Sequence, residues 1–562
     1  MTPLDRFTYS PRIAYFSMEV ALRPEIHTYS GGLGILAGDT ARSAADLEIP
    51  LVILTLISRT GYILQKIDGN GEQVEYPDPW QPDDWAQPLR AKISINIEGR
   101  EVWVRPWLYV LSGISGYEIP ILLLDTDVIE NQPQDRAITD VLYGGDDKYR
   151  LKQEIVLGVG GMRLLGALGF EAHTFHLNEG HSALLALEIL RRYRQPKEMV
   201  GPGECNFDIG RVKERCVFTT HTPVKSGHDR FPYSLVEQVL GDYFDISELK
   251  ILAGQHDLNM TQLALSLSGR INGVSPKHAQ IARQQFPKYK VNAITNGVHP
   301  RTWTSAPIAK LYDRYLPEWM HQPSVLIRAD QIPEQEIWAA HQDSKHNLST
   351  YIKEETGIEI SLETCTLGFA RRMTSYKRPD LLFTDIERIK NICKHFPLQI
   401  ILAGKAHPLD QQGKVLIRQL HEYIDSLSGA VRVIYVQNYD MCAAQYLTSG
   451  VDIWLNTPMP PMEASGTSGI KAAFNGVPHL SALDGWWLEG HIEDVTGWCI
   501  DTTDTQQRDA IDLYNKLEQI ILPKYYDNRN SWIQIMKNVM SKNTRFNSHG
   551  MMRRYAAEAY LR

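Results

Sequence analysis

Two hydrophobic patterns alternate along this chain. Continuous apolar runs occur at Ile49–Ile57 (IPLVILTLI) and within Tyr117–Asp127 (YEIPILLLDTD), as expected of strands buried on both faces. In the second half, Thr366–Ala370, Gln399–Gly404 and Val431–Val436 predict strands. Between them, Pro379–Phe396 and Gly413–Leu427 carry apolar residues at helical spacing. That order predicts a parallel sheet with crossover helices. The first half follows the same logic with longer insertions. Gly/Pro-containing stretches at Thr295–Arg301 and Pro307–Asn347 read as the separation between two α/β halves. From about Gln506 to Arg562 the pattern is helical and polar, and no repeat or low-complexity tract is present.

Length and charge narrow the function classes. A chain of 562 residues is too long for one core and suits two or three domains. Hydrophobic residues make up 43% and charged residues 22%, the composition of a water-soluble globular protein. A net charge of −8 and a pI near 6.2 give no electrostatic reason to expect nucleic acid or an anionic membrane as a partner. No basic region followed by an apolar run opens the chain, and no 18-residue apolar window occurs, so neither a secretory signal nor a membrane span is expected. The cysteines Cys205, Cys216, Cys365, Cys393, Cys442 and Cys499 are scattered without a CxxC pair. They read as reduced thiols of a cytoplasmic protein.

Candidate chemistry sits where predicted strands end. The run VDIWLN (Val451–Asn456) and the breaker TPMPP lead into Glu463-Ala464-Ser465-Gly466-Thr467-Ser468-Gly469-Ile470-Lys471 and a short helix. A Gly/Ser/Thr-rich turn at a helix start leaves backbone N–H groups without partners, which suits a phosphate. Lys471 lies one turn past Thr467 and reads either as a charge partner or as a Schiff-base lysine. An ordinary strand–turn–helix connection fits this segment as well. Ser30-Gly31-Gly32-Leu33-Gly34 precedes an amphipathic helix, either a ligand-contacting turn or a packing turn. Ala370–Pro379 (ARRMTSYKRP) places four cations at a strand end, of which Arg378 reads as solvated surface while Arg371, Arg372 and Lys377 flank the turn. His176–His181 (HLNEGH), Thr219–Pro223 (TTHTP) and Thr295–Trp303 (TNGVHPRTW) also follow strands. The histidines of HLNEGH are five apart, which argues against a zinc site, and no metal is expected. His181 and His221 beside turns favour function. His176, His228, His278 and His299 read as ordinary core or surface residues.

In order along residues 12–500, the pieces SMEV, GGLG, LNEGH, TTHTP, TNGVHPRTW, ARRMTSYKR, AGKA, QNYD, EASGTSGIK and LDG resemble the α-glucan phosphorylases. THTPVKSGHDRF and DGWW resemble the short-chain bacterial branch. The resemblance implies an α/β fold of two Rossmann-like domains facing a cleft, the GT-B arrangement. It implies residues 1–305 on the glucan and substrate-phosphate side, 306–505 on the pyridoxal phosphate side, and 506–562 as helices crossing back to the first domain. The implied activity is retaining phosphorolysis of α-1,4-glucan to glucose 1-phosphate, with pyridoxal phosphate held as an imine on Lys471. By the same resemblance, Arg371, Lys377, Gly466, Thr467, Ser468, Tyr439 and Trp303 bind the cofactor, and Arg372 and Lys377 hold substrate phosphate. Gly31, Gly32, Leu33, Glu179, His181, His221, Asn296, Glu463, Ser465 and Gly466 meet substrate, with His221 at the scissile bond. Arg371, Glu179 and Gly180 depart from the family lysine, aspartate and threonine. The implied partners are glucan and inorganic phosphate, with no nucleic acid and no membrane. Oligomeric state is left open, a homodimer included. Few residues precede IAYFSMEV, so no N-terminal regulatory segment is expected. The alternative is a glycosyltransferase of the glycogen/starch synthase type using a nucleotide sugar, which shares GGLG and the fold but needs no imine lysine.

Overall fold

The computed structural model describes residues 4–8, 12–195, 206–224, 227–503 and 505–561. Cys205 and the Lys225-Ser226 part of THTPVKSGHDRF lie outside them. The chain is α/β and forms two compact units. The first comprises Met1–Tyr62, Pro77–Thr295 and Met551–Arg562; the second comprises Ile63–Tyr76 and Asn296–Gly550. Among the described residues no helix is long and apolar enough to cross a membrane.

The first unit is built on a mixed ten-stranded sheet. Its parallel part runs Asn292–Ala293, Arg270–Gly273, Cys216–Thr219, Thr174–Asn178, Ile13–Ser17, Leu51–Leu56 and Glu118–Asp125. Ile13–Ser17 and Leu51–Leu56 are buried throughout, as their unbroken apolar runs require. The insertion in this half is antiparallel: Arg100–Ser112 pairs with Glu118–Asp125 on one side and with Gln87–Pro88 and Ile93–Ile97 on the other. Residues 551–561 join this unit through buried polar contacts. Tyr560 OH meets His176 Nδ1 at 2.6 Å, Asn272 Nδ2 donates to Tyr555 OH at 2.9 Å, and His176 Nε2 meets Thr219 Oγ1 at 2.9 Å. His176 is thus a satisfied core histidine.

The second unit carries a six-stranded, all-parallel sheet in the order Arg432–Val436, Leu398–Ala403, Cys365–Ala370, Ile453–Asn456, His479–Ala482 and Gly497–Ile500. The helix expected over Pro379–Phe396 starts later, at Ile386, where the Asp385 carboxylate accepts the Arg388 N–H. Pro307–Asn347 is mostly helical rather than a separator, with Ala306–Tyr315 and Glu334–Thr356 as its main helices. Pro307 falls in a first helical turn, where a missing N–H costs nothing. The compact units divide between Thr295 and Asn296. The reason is local: the helix Pro300–Trp303 is tied into the second unit by Asn475 Nδ2, which donates to the Trp303 carbonyl at 2.8 Å. The hairpin Leu64–Ile67 and Gln73–Tyr76 also belongs there. Gln65 Nε2 donates to the Gly404 carbonyl at 2.9 Å and Gln73 Nε2 to the Ala406 carbonyl at 3.0 Å.

Candidate functional site

In the second unit the strand Cys365–Ala370 ends in Arg371, and the strand Ile453–Asn456 leads to the turn beginning at Glu463. Parallel neighbours end on the same side, so two sequence-distant turns meet. Glu463, buried, takes Arg371 Nη2 at 2.9 Å and pairs with Lys377 Nζ. Burial pushes the Glu463 carboxyl up, but the two cations outweigh it and hold it at about 2. The Glu463 N–H donates to Asp484 Oδ2 at 2.8 Å, and burial raises the Asp484 carboxyl to about 6. Gly466 sits at φ +69°, a left-handed conformation, and a Cβ there would lie 3.1 Å from Glu463 Oε1 and 3.4 Å from Arg371 Nη2.

Thr467 precedes the helix Ser468–Ala473, and its carbonyl accepts the Lys471 N–H at 3.0 Å. The buried Lys471 Nζ lies 3.6 Å from the centroid of the buried Trp303 ring. Lysine, flat ring and cations therefore gather in one unit. Burial raises the Tyr439 phenol above its ordinary value while Arg371 opposes the rise, so the field of Arg371 reaches Tyr439. Among the described residues no hydrogen-bond partner meets the buried Arg371 Nη1, Ser465 Oγ, Thr374 Oγ1 or Asn296 Oδ1. Buried polar atoms are rarely left so, and each costs roughly 1–3 kcal/mol unless a ligand or water meets it. An anionic aromatic group attached at Lys471 fits this set: a cation face, hydroxyls and an indole plane.

Arg372, two residues past the strand, is exposed, unlike Arg371. Arg378 corrects the expectation of a solvated cation. It is buried at φ +46°, its Nη1 2.5 Å from Asp509 Oδ2 and its Nε donating to the Thr457 carbonyl at 2.9 Å. It braces the strand end from behind. No local pattern marks it, because Asp509 is far along the chain.

In the first unit, Glu179 follows the strand Thr174–Asn178 at φ +73°. Its carboxylate accepts the His221 N–H at 2.7 Å, the Thr222 hydroxyl at 3.0 Å and the Gly180 N–H at 2.9 Å. Glu179 thus binds two strand ends together. His221 Nε2 donates to Asn178 Oδ1 at 2.6 Å. Burial, with help from neighbouring imidazoles, keeps His221 neutral, so Nδ1 is its acceptor. Burial lowers His181 to about 3, and its Nε2 lies 3.4 Å from Asp229 Oδ2. Gly31 precedes the helix Gly32–Asp46 as expected, but its own N–H is taken by Glu19 Oε2 at 3.1 Å. Gly32 is exposed, and nothing lies within 4 Å of where its Cβ would be. Glu19 and Tyr143, whose hydroxyl donates to Glu19 Oε1 at 3.0 Å, were given no role by sequence reasoning. Glu19 lies in SMEV, a piece of the resemblance, but nothing local marks what its carboxylate holds.

The profile of a family described as carbohydrate phosphorylase matches residues 224–497. A maltodextrin phosphorylase of Thermococcus litoralis is 37% identical over 98% of this chain and 70% of its own length. A glycogen phosphorylase of Aquifex aeolicus is 35% identical over 98% of this chain and 86% of its own. An uncharacterised protein of Methanocaldococcus jannaschii is 30% identical over 97% of this chain and 99% of its own. With 35–37% identity to named phosphorylases over 98% of its length, the chain belongs to the carbohydrate phosphorylase family.

Proposed function

We propose that this protein is an α-glucan phosphorylase that transfers the terminal glucose of an α-1,4-glucan to inorganic phosphate, giving α-glucose 1-phosphate with retention. The observation that carries the reading is the buried cluster of Lys471 on Trp303 beside Arg371, Lys377 and the Glu463–Ser468 turn. A nucleotide-sugar transferase has no need of a buried lysine on an indole face. The proposal includes the GT-B arrangement implied by the sequence pieces. It assigns the first unit to glucan and substrate phosphate, the second to pyridoxal phosphate, and the protein to the cytoplasm.

Lys471 Nζ, over the Trp303 ring, would be the attachment point for the cofactor, and Trp303 and Tyr439 would help hold it. Arg371, Lys377 and the amides of Gly466, Thr467 and Ser468 hold its phosphate. When bound, pyridoxal phosphate supplies a second phosphate able to exchange a proton with the substrate phosphate. Two phosphates near each other would repel; Arg371 and Lys377, both nearly enclosed, and the exposed Arg372 would supply the compensating charge. Glu463, Ser465 and Asn296 accept or donate to sugar hydroxyls. On the first unit, Gly32 and Leu33 offer backbone amides, and the Glu179 clamp sets the His221 backbone. A neutral His221 acts by hydrogen bonding and dipole rather than by charge as positive character grows on the sugar. The test is incubation of the purified protein, supplied with pyridoxal phosphate, with a maltodextrin and phosphate. Glucose 1-phosphate release is expected. No release with phosphate, but glucan extension from a nucleotide sugar, would reverse the reading.

A further inference from the structure

The glycine loop of the first unit is held by a carboxylate that the chemistry above does not use. Glu19 is buried just past the strand Ile13–Ser17. Its Oε2 accepts the Ser30 N–H at 2.5 Å, the Gly31 N–H at 3.1 Å and the Ser30 hydroxyl at 3.2 Å, while Oε1 accepts the Tyr143 hydroxyl at 3.0 Å. The loop glycines have different surroundings. A Cβ at Gly34 would lie 2.7 Å from Glu19 Oε2 and 2.6 Å from Tyr29 Cβ, so Gly34 makes room for the carboxylate. Gly32 meets nothing within 4 Å and is not in the left-handed region, so neither packing nor backbone strain asks for glycine there. What remains is close approach of a ligand.

The support continues behind Tyr143. The Arg150 guanidinium lies 4.2 Å from the Tyr143 ring centroid and pairs with Asp229 at 3.0 Å and Glu154 at 3.2 Å. Asp229 in turn reaches His181.

We propose that Glu19 and Tyr143 are positioning residues. They fix the Ser30-Gly31 backbone so that the first-turn amides of Gly32 and Leu33, which have no intrahelical acceptor, face the substrate phosphate. The inference rests on the reading of this unit as the substrate-phosphate side. A Ser-Gly-Gly segment left free would have to be ordered at binding; two hydrogen bonds on consecutive amides order it on folding instead. A negative charge beneath an anion site is unfavourable, so the useful property of Glu19 is its acceptor geometry. Glutamine can keep one oxygen for the two amides and turn its NH2 toward the Tyr143 hydroxyl oxygen.

The experiment is steady-state phosphorolysis by the holoenzyme, varying phosphate and glucan separately, with thermal unfolding measured in parallel. Glu19→Ala is expected to raise the phosphate KM about tenfold while leaving the glucan KM within about twofold. Glu19→Gln should restore most of that loss, and Tyr143→Phe should raise the phosphate KM severalfold. Gly32→Ala tests the underlying reading. If it leaves the phosphate KM unchanged, the loop is not the phosphate side, and that reading fails. If Gly32→Ala acts but a stably folded Glu19→Ala keeps the wild-type phosphate KM, the positioning role is overturned. Equal loss in the alanine and glutamine variants would overturn the acceptor role in favour of charge. Where Glu19→Ala does not fold, an unchanged phosphate KM in Tyr143→Phe overturns the proposal.

Discussion

Replacing Glu463 by glutamine removes the carboxylate that Arg371 and Lys377 share, and two separate arguments set the size of the effect. Losing one partner of a buried ion pair leaves uncompensated charge, a cost of about 3–5 kcal/mol. Here both cations are nearly enclosed, with side-chain exposures of 9% and 7%. The second argument comes from proton linkage. The carboxyl is held at about 2 against an ordinary value of 4.5. That difference corresponds to about 3 kcal/mol of stability. Because the folded value is the lower one, this stability is fully present above pH 4.5 and is lost as pH falls toward about 2. Cofactor-free wild type and Glu463→Gln should therefore differ by about 3 kcal/mol at pH 7, a shift of about 1 M in urea midpoint. The gap should narrow steadily below the ordinary carboxylate range. Tryptophan fluorescence suits the assay, since Trp303, Trp454, Trp486, Trp487, Trp498 and Trp532 are all buried in the second unit. Equal midpoints at pH 7, or a gap that does not change with acid, would refute the reasoning.

Three further outcomes follow from the same geometry. Lys471→Ala should purify without a pyridoxal chromophore and without phosphorolysis; stoichiometric cofactor still trapped covalently by borohydride would move the attachment elsewhere. Arg372→Ala should lose about 2–4 kcal/mol of transition-state stabilisation, as for a preorganised charged donor, with stability nearly unchanged because the residue is exposed; an unaltered rate at every phosphate concentration would remove it from the site. Arg378→Ala should do the reverse, destabilising by about 3–5 kcal/mol because Asp509 is left buried without its partner; a wild-type urea midpoint would show the pair to be worth little.

Sequence alone determined the α/β class and some strands of each sheet, Leu51–Leu56, Glu118–Asp125, Cys365–Ala370 and Leu398–Ala403 among them, because parallel strands buried on two faces are apolar without interruption and stay legible at short range. It also marked the turns proposed to carry chemistry, since a run such as EASGTSGIK combines glycine, hydroxyls and a lysine within a few residues. It could not show Arg378 as a buried brace, since the partner that changes its meaning, Asp509, lies 131 residues away. The hairpin at Leu64–Ile67 and Gln73–Tyr76 belongs to the second unit through glutamine contacts to carbonyls at Gly404 and Ala406, which no local period encodes. The same holds for Glu19. As a letter it is one acid at a strand end, and only the approach of Ser30, Gly31 and Tyr143 makes it an acceptor for a loop. Periodicity reports burial, which each residue carries in its own side chain. Pairing depends on which distant segment folds against it, and that is settled only when the sheets and their strand ends are assembled.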